Sequence, residues 1–416
     1  MPTSAISPTV APTTYGPPTS SLRPPAESPS GRRAEGRIPS LDGLRGVSIL
    51  VVILGHLNGT AGAPAVLRRV FDGRLFNIPY FGVRVFFVIS GFLITGLLVR
   101  ELDATGTLSL RRFYLRRAMR LMPAYFAVVA CLGAATAAGW LAISGATFVR
   151  ALTYTMNYAH GSSWELSQFW SLAVEEQFYL LWPVALLLLR RRGAVVLAAL
   201  VIVAAPLVRV AEMRYCAACA PSMLFHFETN ADALAMGCLL ALLGGVRGAR
   251  GVRGGPDWSR WRALASRVAS WWAVPVLLAG AVVAFQQKGI PRQLLAYTLS
   301  NVAATILVWR GVREPRSAVG RALNARWLTT VGVLSYSLYL VQQPFLNRRA
   351  PGPLTSYPQN LLLVAAAACC CYLLVERPFL RLRPRVERAL LGGSPRSPRS
   401  PRSPRPAGRP AADATR

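Results

Sequence analysis

IPSLDGLRGVSILVVILGH, from Ile38 to His56, is long and apolar enough to enter a bilayer, yet it carries a cation, Arg45, and an imidazole, His56. Eleven helical residues at about 100° each make three turns plus some 20°, so both side chains fall on one face, separated by a rise of about 16 Å. An ionisable group inside a span costs at least ~2.5–3.5 kcal/mol and is rare unless it faces a protein interior or a wet cavity. The pair therefore marks a polar cavity within a helical bundle as the first place to look for chemistry.

Outward from this stretch the same apolar character repeats. Hydrophobic residues make up 53% of the 416-residue chain and charged residues 15%. Apolar runs of about 18–22 residues, each able to cross ~30 Å of hydrocarbon, recur from Leu41 to Leu374. The expected spans are 42–60, 80–98, 119–140, 169–189, 193–210, 230–246, 271–287, 294–311, 327–346 and 359–376. The fold class is all-α: a polytopic membrane helical bundle of about ten transmembrane helices, with both termini on one side.

A net charge of +30 suggests nucleic acid until the basic residues are assigned to loops. Of 47 Lys+Arg, 35 lie in segments 1–40, 99–120, 190–192, 247–268, 310–326 and 377–416, the alternate loops and tails that share the amino-terminal side. The charge then reports orientation, with N and C termini cytoplasmic and the chain multi-pass in the plasma membrane. A nucleic-acid binder would show a basic face interleaved with aromatics on a soluble domain, and none is found. Residues 1–37, rich in Pro, Ser and Thr and without an apolar core, read as a disordered cytosolic arm rather than a signal peptide. The transmembrane domain is expected over 38–385. Residues 386–416, with four SPR repeats, read as a disordered basic tail near anionic headgroups.

Seven cysteines make no framework. Cys369, Cys370 and Cys371 fall inside the last span as packing residues. Cys216 and Cys219 have CxxC spacing, but without a second ligand pair they read as a local disulfide or two free thiols. No metal site and no tightly bound cofactor is expected.

Two further stretches carry candidate chemistry. In SLRRFYLRRAMRLMPAYF, Arg111, Arg112, Arg116, Arg117 and Arg120 crowd the entrance of the third span, and Arg117 and Arg120 share a face one turn apart. An ordinary positive-inside cluster would look similar; the functional reading is a phosphate clamp, because guanidinium forks bind phosphates bidentately. The fourth span opens SQFWSLAVEEQFYLLWP, carrying Glu175 and Glu176 into apolar sequence. Neighbours on a helix point about 100° apart, so at most one can face a given cavity squarely. Counted inward from Phe169, Glu175 comes about 9 Å deep, at the expected level of His56, about 21 Å up from the opposite side. A carboxylate there would orient the imidazole as a general base requires. The plainer reading leaves both glutamates at headgroup level beside Trp170.

Together these segments resemble acyltransferase family 3, integral-membrane O-acyltransferases acting on sugars, glycans and macrolides. The resemblance runs through LDGLRGVSILVVILGH, FFVISGFLITGLL, RRFYLRRAMRLMP, FWSLAVEEQFYLLWP, LSYSLYLVQQP and VERPFLRLR. It implies a ten-helix enzyme that takes an acyl group from cytosolic acyl-CoA, with Arg45 and His56 in the first span, the RxxR pair at Arg117 and Arg120, and a VE dipeptide ending at Glu175. Arg116 joins the pair as a further donor-binding cation. The reaction implied is transfer of an acetyl or short acyl group to a hydroxyl of a carbohydrate. His56 would act as base with Glu175 orienting it, and Arg45 would hold the donor or structure the cavity. There are two departures from many relatives: Arg84 where an acidic residue is usual, and the pair Gln342 and Gln343 where a histidine is usual. Some relatives append a soluble esterase-like domain; here transfer is expected to be completed by the membrane part or a partner. The alternatives are a transporter or flippase of a polar or lipid-linked substrate, which would call for inverted repeats that the sequence does not display, and a non-catalytic scaffold.

Overall fold

The structure is a computed structural model that describes residues 38–71, 76–159, 161–216, 222–244 and 270–392. Residues 1–37, 245–269 and 393–416, and Cys219, lie outside the described residues, and with them the expected cytosolic arm and most of the expected basic tail.

Among the described residues every regular element is helical. In chain order they are α1 (Pro39–Leu57), α2 (Ala65–Phe71), α3 (Ile78–Thr105), α4 (Leu110–Ala137), α5 (Gly145–Leu152), a 3₁₀ turn (Met156–Tyr158), α6 (Trp164–Ser167), α7 (Phe169–Tyr215) and α8 (Phe227–Gly244). There follow α9 (Ala273–Gln286), a π turn (Arg292–Ala296), α10 (Tyr297–Arg313), α11 (Ala318–Leu323), α12 (Arg326–Phe345), α13 (Gln359–Cys370), a second π turn (Cys371–Glu376) and α14 (Arg377–Leu391). Five runs are long and apolar enough to cross a membrane: Pro39–Leu57, Ile78–Thr105, Leu110–Ala137, Trp164–Tyr215 and Gln359–Leu391. Each of the ten expected spans coincides with helical residues, but the remaining helices are shorter or less apolar.

Two of the expected spans, 169–189 and 193–210, belong to one helical element. At 1.5 Å per residue α7 would reach about 70 Å if straight, more than twice a bilayer's hydrocarbon thickness. It is broken at Arg190, whose backbone leaves the helix with φ 55° and ψ −176°. That side chain donates to the Gly106 carbonyl at 3.0 Å, and Arg191 donates to the Leu242 carbonyl at 2.7 Å. These two arginines thus tie the break in α7 to the residue that follows α3 and to the last turn of α8.

α1 packs on α3 and α12, and α8 packs on both α3 and α7. Close approach needs glycine at the crossings. A Cβ on Gly91 would stand 2.1 Å from the Leu234 carbonyl oxygen, and one on Gly237 2.1 Å from that of Val88, so α3 and α8 touch backbone to backbone. The same holds for α1 and α12: a Cβ on Gly332 would lie 1.8 Å from the Asp42 oxygen.

At the other end, the helix does not stop at Arg385 as the expected domain boundary has it. α14 runs to Leu391 because its polar face is tied down: Glu387 accepts two hydrogen bonds from Arg116, at 2.9 and 2.5 Å, and pairs with Arg112 at 3.2 Å.

Candidate active site

The first polar cluster forms where α1, α3, α4, α7 and the second π turn meet. Glu175 on α7 accepts a hydrogen bond from Ser90 on α3 at 2.7 Å and one from Tyr179, a turn further along α7, at 3.1 Å. The cations acting on it are Arg117 of α4 and Arg45 of α1. The Arg117 guanidinium lies over the Tyr179 ring, 3.8 Å from its centroid, with its Nε buried and unpartnered. Arg120, one turn on, has Arg45, Arg117 and Glu376 as charged neighbours. It nevertheless remains exposed, so the surface it offers opens among these groups. Glu376, buried at the end of the π turn, accepts from Ser337 of α12 at 2.8 Å and faces Arg120 and Arg45. Three guanidinium groups, Arg45, Arg117 and Arg120, thus share a neighbourhood with three carboxylates, Glu175, Glu176 and Glu376.

The second cluster lies at the opposite end of α1. His56 meets Trp164 edge to face, with ring centroids 5.9 Å apart. The Gln342 side chain faces the imidazole. Gln342 is the group nearest to hydrogen-bonding the imidazole, but among the described residues neither His56 Nδ1 nor either amide atom of Gln342 makes a hydrogen bond of good geometry. Gln343 is held, its side-chain Nε2 donating to Ser167 Oγ at 3.0 Å and its backbone carbonyl accepting from the Trp164 indole at 3.0 Å. Buried polar atoms are nearly always paired, so unpaired ones gathered around an imidazole leave hydrogen-bonding capacity for a substrate or water.

Sequence expectation and structure part at Glu175. It was expected to orient His56; among the described residues no hydrogen bond joins them, and Glu175 belongs to the arginine cluster. The helical run begins at Trp164 rather than Phe169, which places Glu175 about 7–8 Å further along than counted. Trp164 to Glu175 and His56 to Arg45 are both eleven residues, so the two runs pair top with top and bottom with bottom. Glu176 is not at headgroup level either: its charged neighbours are Arg117 and Glu175. Arg116, grouped with the donor-binding cations, is instead forked onto Glu387. Arg84, the departure in span two, is fully buried and pairs with Asp232 at 2.9 Å; Arg209 pairs with the other oxygen of Asp232 at 2.9 Å. Sequence reading missed Glu376, Ser90, Tyr179 and Asp232 as site or support residues; VERPFLRLR flagged the first only as a motif. Cys216 is disulfide-bonded.

The described helices thus carry guanidinium groups near one end of α1 and an imidazole at the other, and comparison with known proteins assigns the class. A family model described as an acyltransferase domain matches residues 38–375, and the chain belongs to this acyltransferase family 3. The peptidoglycan O-acetyltransferase OatA of Listeria monocytogenes is 26% identical over 335 residues, covering 76% of this chain and 50% of that protein. A Bacillus subtilis protein named "Putative peptidoglycan O-acetyltransferase YrhL" is 28% identical over 342 residues, covering 76% of this chain and 49% of that one. A Staphylococcus aureus protein named "Putative O-acetyltransferase" is 36% identical over 167 residues, covering 36% of this chain and 25% of its own length. The chain spans half or less of the length of these curated relatives. No solved structure matches it.

Proposed function

We propose that this chain is a multi-pass plasma-membrane O-acyltransferase with ten crossings and cytoplasmic termini, moving an acetyl or short acyl group from acyl-CoA to a carbohydrate hydroxyl. The observation that carries the reading is the two-level arrangement on α1: Arg45 near Arg117, Arg120, Glu175 and Glu376 at one level, and His56, beside Gln342 and Trp164, about 16 Å along the helix. Phosphates of the donor would be held by Arg117, Arg120 and Arg45, entering from the side of the basic loops. The flexible pantetheine arm would carry the thioester along the bundle to His56. Glu175 and Glu376 position the arginines rather than the histidine.

At the upper level the acceptor hydroxyl approaches from the Trp164 side. His56 Nδ1 takes its proton as the oxygen attacks the thioester carbonyl; the carbon–sulfur bond breaks, and the departing thiolate recovers the proton from the imidazolium. The products are an ester and free CoA thiol. In this reading Gln342, beside the imidazole, would donate to the developing oxyanion, a role worth roughly 10²–10³ in rate. A glycan acceptor is supported by the names of the peptidoglycan O-acetyltransferase relatives above, and a glycosylated natural product by the family resemblance.

The test is thiol release from acetyl-CoA by the purified, detergent-solubilised chain, with and without a peptidoglycan-derived oligosaccharide or a glycosylated macrolide. Acceptor-dependent thiol release with ester formed on the sugar is the expected result. Movement of a lipid-linked sugar across proteoliposomes with no thiol released would overturn the reading in favour of a flippase.

A further inference from the structure

Away from both clusters, at the junction of α7 and α8, three ligand-bearing side chains converge. Glu212 lies near the end of α7, His226 just before α8 and Glu228 in its first turn. One ligand atom from each stands within 4.8 Å of the others. His226 Nδ1 is 3.1 Å from Glu212 Oε2 and 3.8 Å from Glu228 Oε1. Donors about 2.0–2.2 Å from a common tetrahedral ion stand about 3.4 Å apart, between those two values.

The charges around this cluster do not balance. Among the described residues, every other carboxylate at ion-pair distance from a base meets arginine: Asp232 with Arg84 and Arg209, Glu387 with Arg112 and Arg116, Glu314 with Arg310. Glu212 and Glu228 alone share a single imidazole, in a chain of 47 basic and 17 acidic residues. A neutral His226 leaves two negative charges, and an imidazolium leaves one, since its Nδ1 proton can serve only one carboxylate well. The outer groups are those of a metal's supporting shell. Ser222 stands 3.0 Å from His226 Nε2, which turns Nδ1 toward the carboxylates. Tyr158 donates to the remaining Glu228 oxygen at 2.8 Å.

We infer that Glu212, His226 and Glu228 form a structural site for one first-row divalent cation, zinc by preference, joining α7 to α8 and, through Tyr158, to the turn that precedes Trp164. One imidazole with two carboxylates suits a borderline cation such as Zn²⁺ better than Ca²⁺ or Mg²⁺, which favour oxygen-only sets. The three ligands are spread over 17 positions with no repeated spacing, so no linear motif announces them. This inference is independent of the acyl-transfer reading.

The experiment uses the purified full chain, stripped with EDTA and titrated with Zn²⁺ alone by calorimetry and thermal melting, with Co²⁺ as a spectroscopic probe. The expected result is one Zn²⁺ per chain, a raised Tm, and Co²⁺ d–d bands without a thiolate charge-transfer band. Glu228→Gln, at a side chain 41% exposed and so tolerant of change, should weaken binding at least tenfold while the stripped protein melts as the parent does. Absence of a Zn²⁺-dependent rise in the parent's Tm, a thiolate band, or full-strength binding in both Glu228→Gln and Glu212→Gln would overturn the assignment.

Discussion

Trp164 stands edge-on to His56, 5.9 Å between ring centroids, and this contact sets the level of every other group on the following helix. Glu175, eleven residues on, descends to Arg45 and Arg117 instead of meeting the imidazole. Replacing it by Gln removes the buried negative charge that acts on Arg117 and Arg45, and so loosens the two guanidinium groups proposed to hold the donor's phosphates. Glu175→Gln should therefore raise KM for acyl-CoA at least tenfold and leave the pH dependence of kcat where it was. A displaced pH profile with unchanged donor KM would return Glu175 to the histidine.

Arg117→Ala and Arg120→Ala should each raise KM for acyl-CoA, since a lost phosphate contact removes binding shared by ground and transition states. Arg116→Ala should leave donor KM within about twofold. Its effect should appear in the melting temperature, through the lost fork to Glu387 that ties α14 to α4. Steady-state kinetics beside thermal melts of the three variants separate these roles; equal KM effects in all three would return Arg116 to the clamp.

Asp232 lies between two fully buried arginines, Arg84 and Arg209. Asp232→Ala would leave both without a counter-charge and should destabilise the bundle by about 3–5 kcal/mol or prevent its recovery from the membrane. The double replacement Arg84→Met with Asp232→Asn, which leaves one buried cation fewer, should recover part of that loss. A single variant that melts with the parent would show that water already reaches the triad.

The sequence was legible where a pattern is local. Apolar runs mark helical positions, and LDGLRG, RRAMR and VEE supply Arg45, Arg117, Arg120 and Glu175. What escaped depends on register between distant elements. The helical run carrying Glu175 begins at Trp164, and a start misplaced by five residues shifts its partner by most of two turns' rise, enough to exchange His56 for Arg45. Glu376 escaped because its direction is set by a π turn, whose extra residue rotates the helix out of simple 3.6 periodicity. Arg84 looked like an isolated departure because its answer, Asp232, is 148 positions away.

The most direct test of the account is acceptor-dependent thiol release from acetyl-CoA by the His56→Ala chain, purified beside the parent and shown to melt at the same temperature. One half-buried polar side chain adds little to packing, whereas positioned proton transfer contributes about 10²–10⁴ in rate. The account predicts a folded protein that binds acetyl-CoA through its intact arginine cluster and releases thiol at least about a hundredfold more slowly. Release within about threefold of the parent would contradict His56 as the base and, with it, the two-level reading of the first helix.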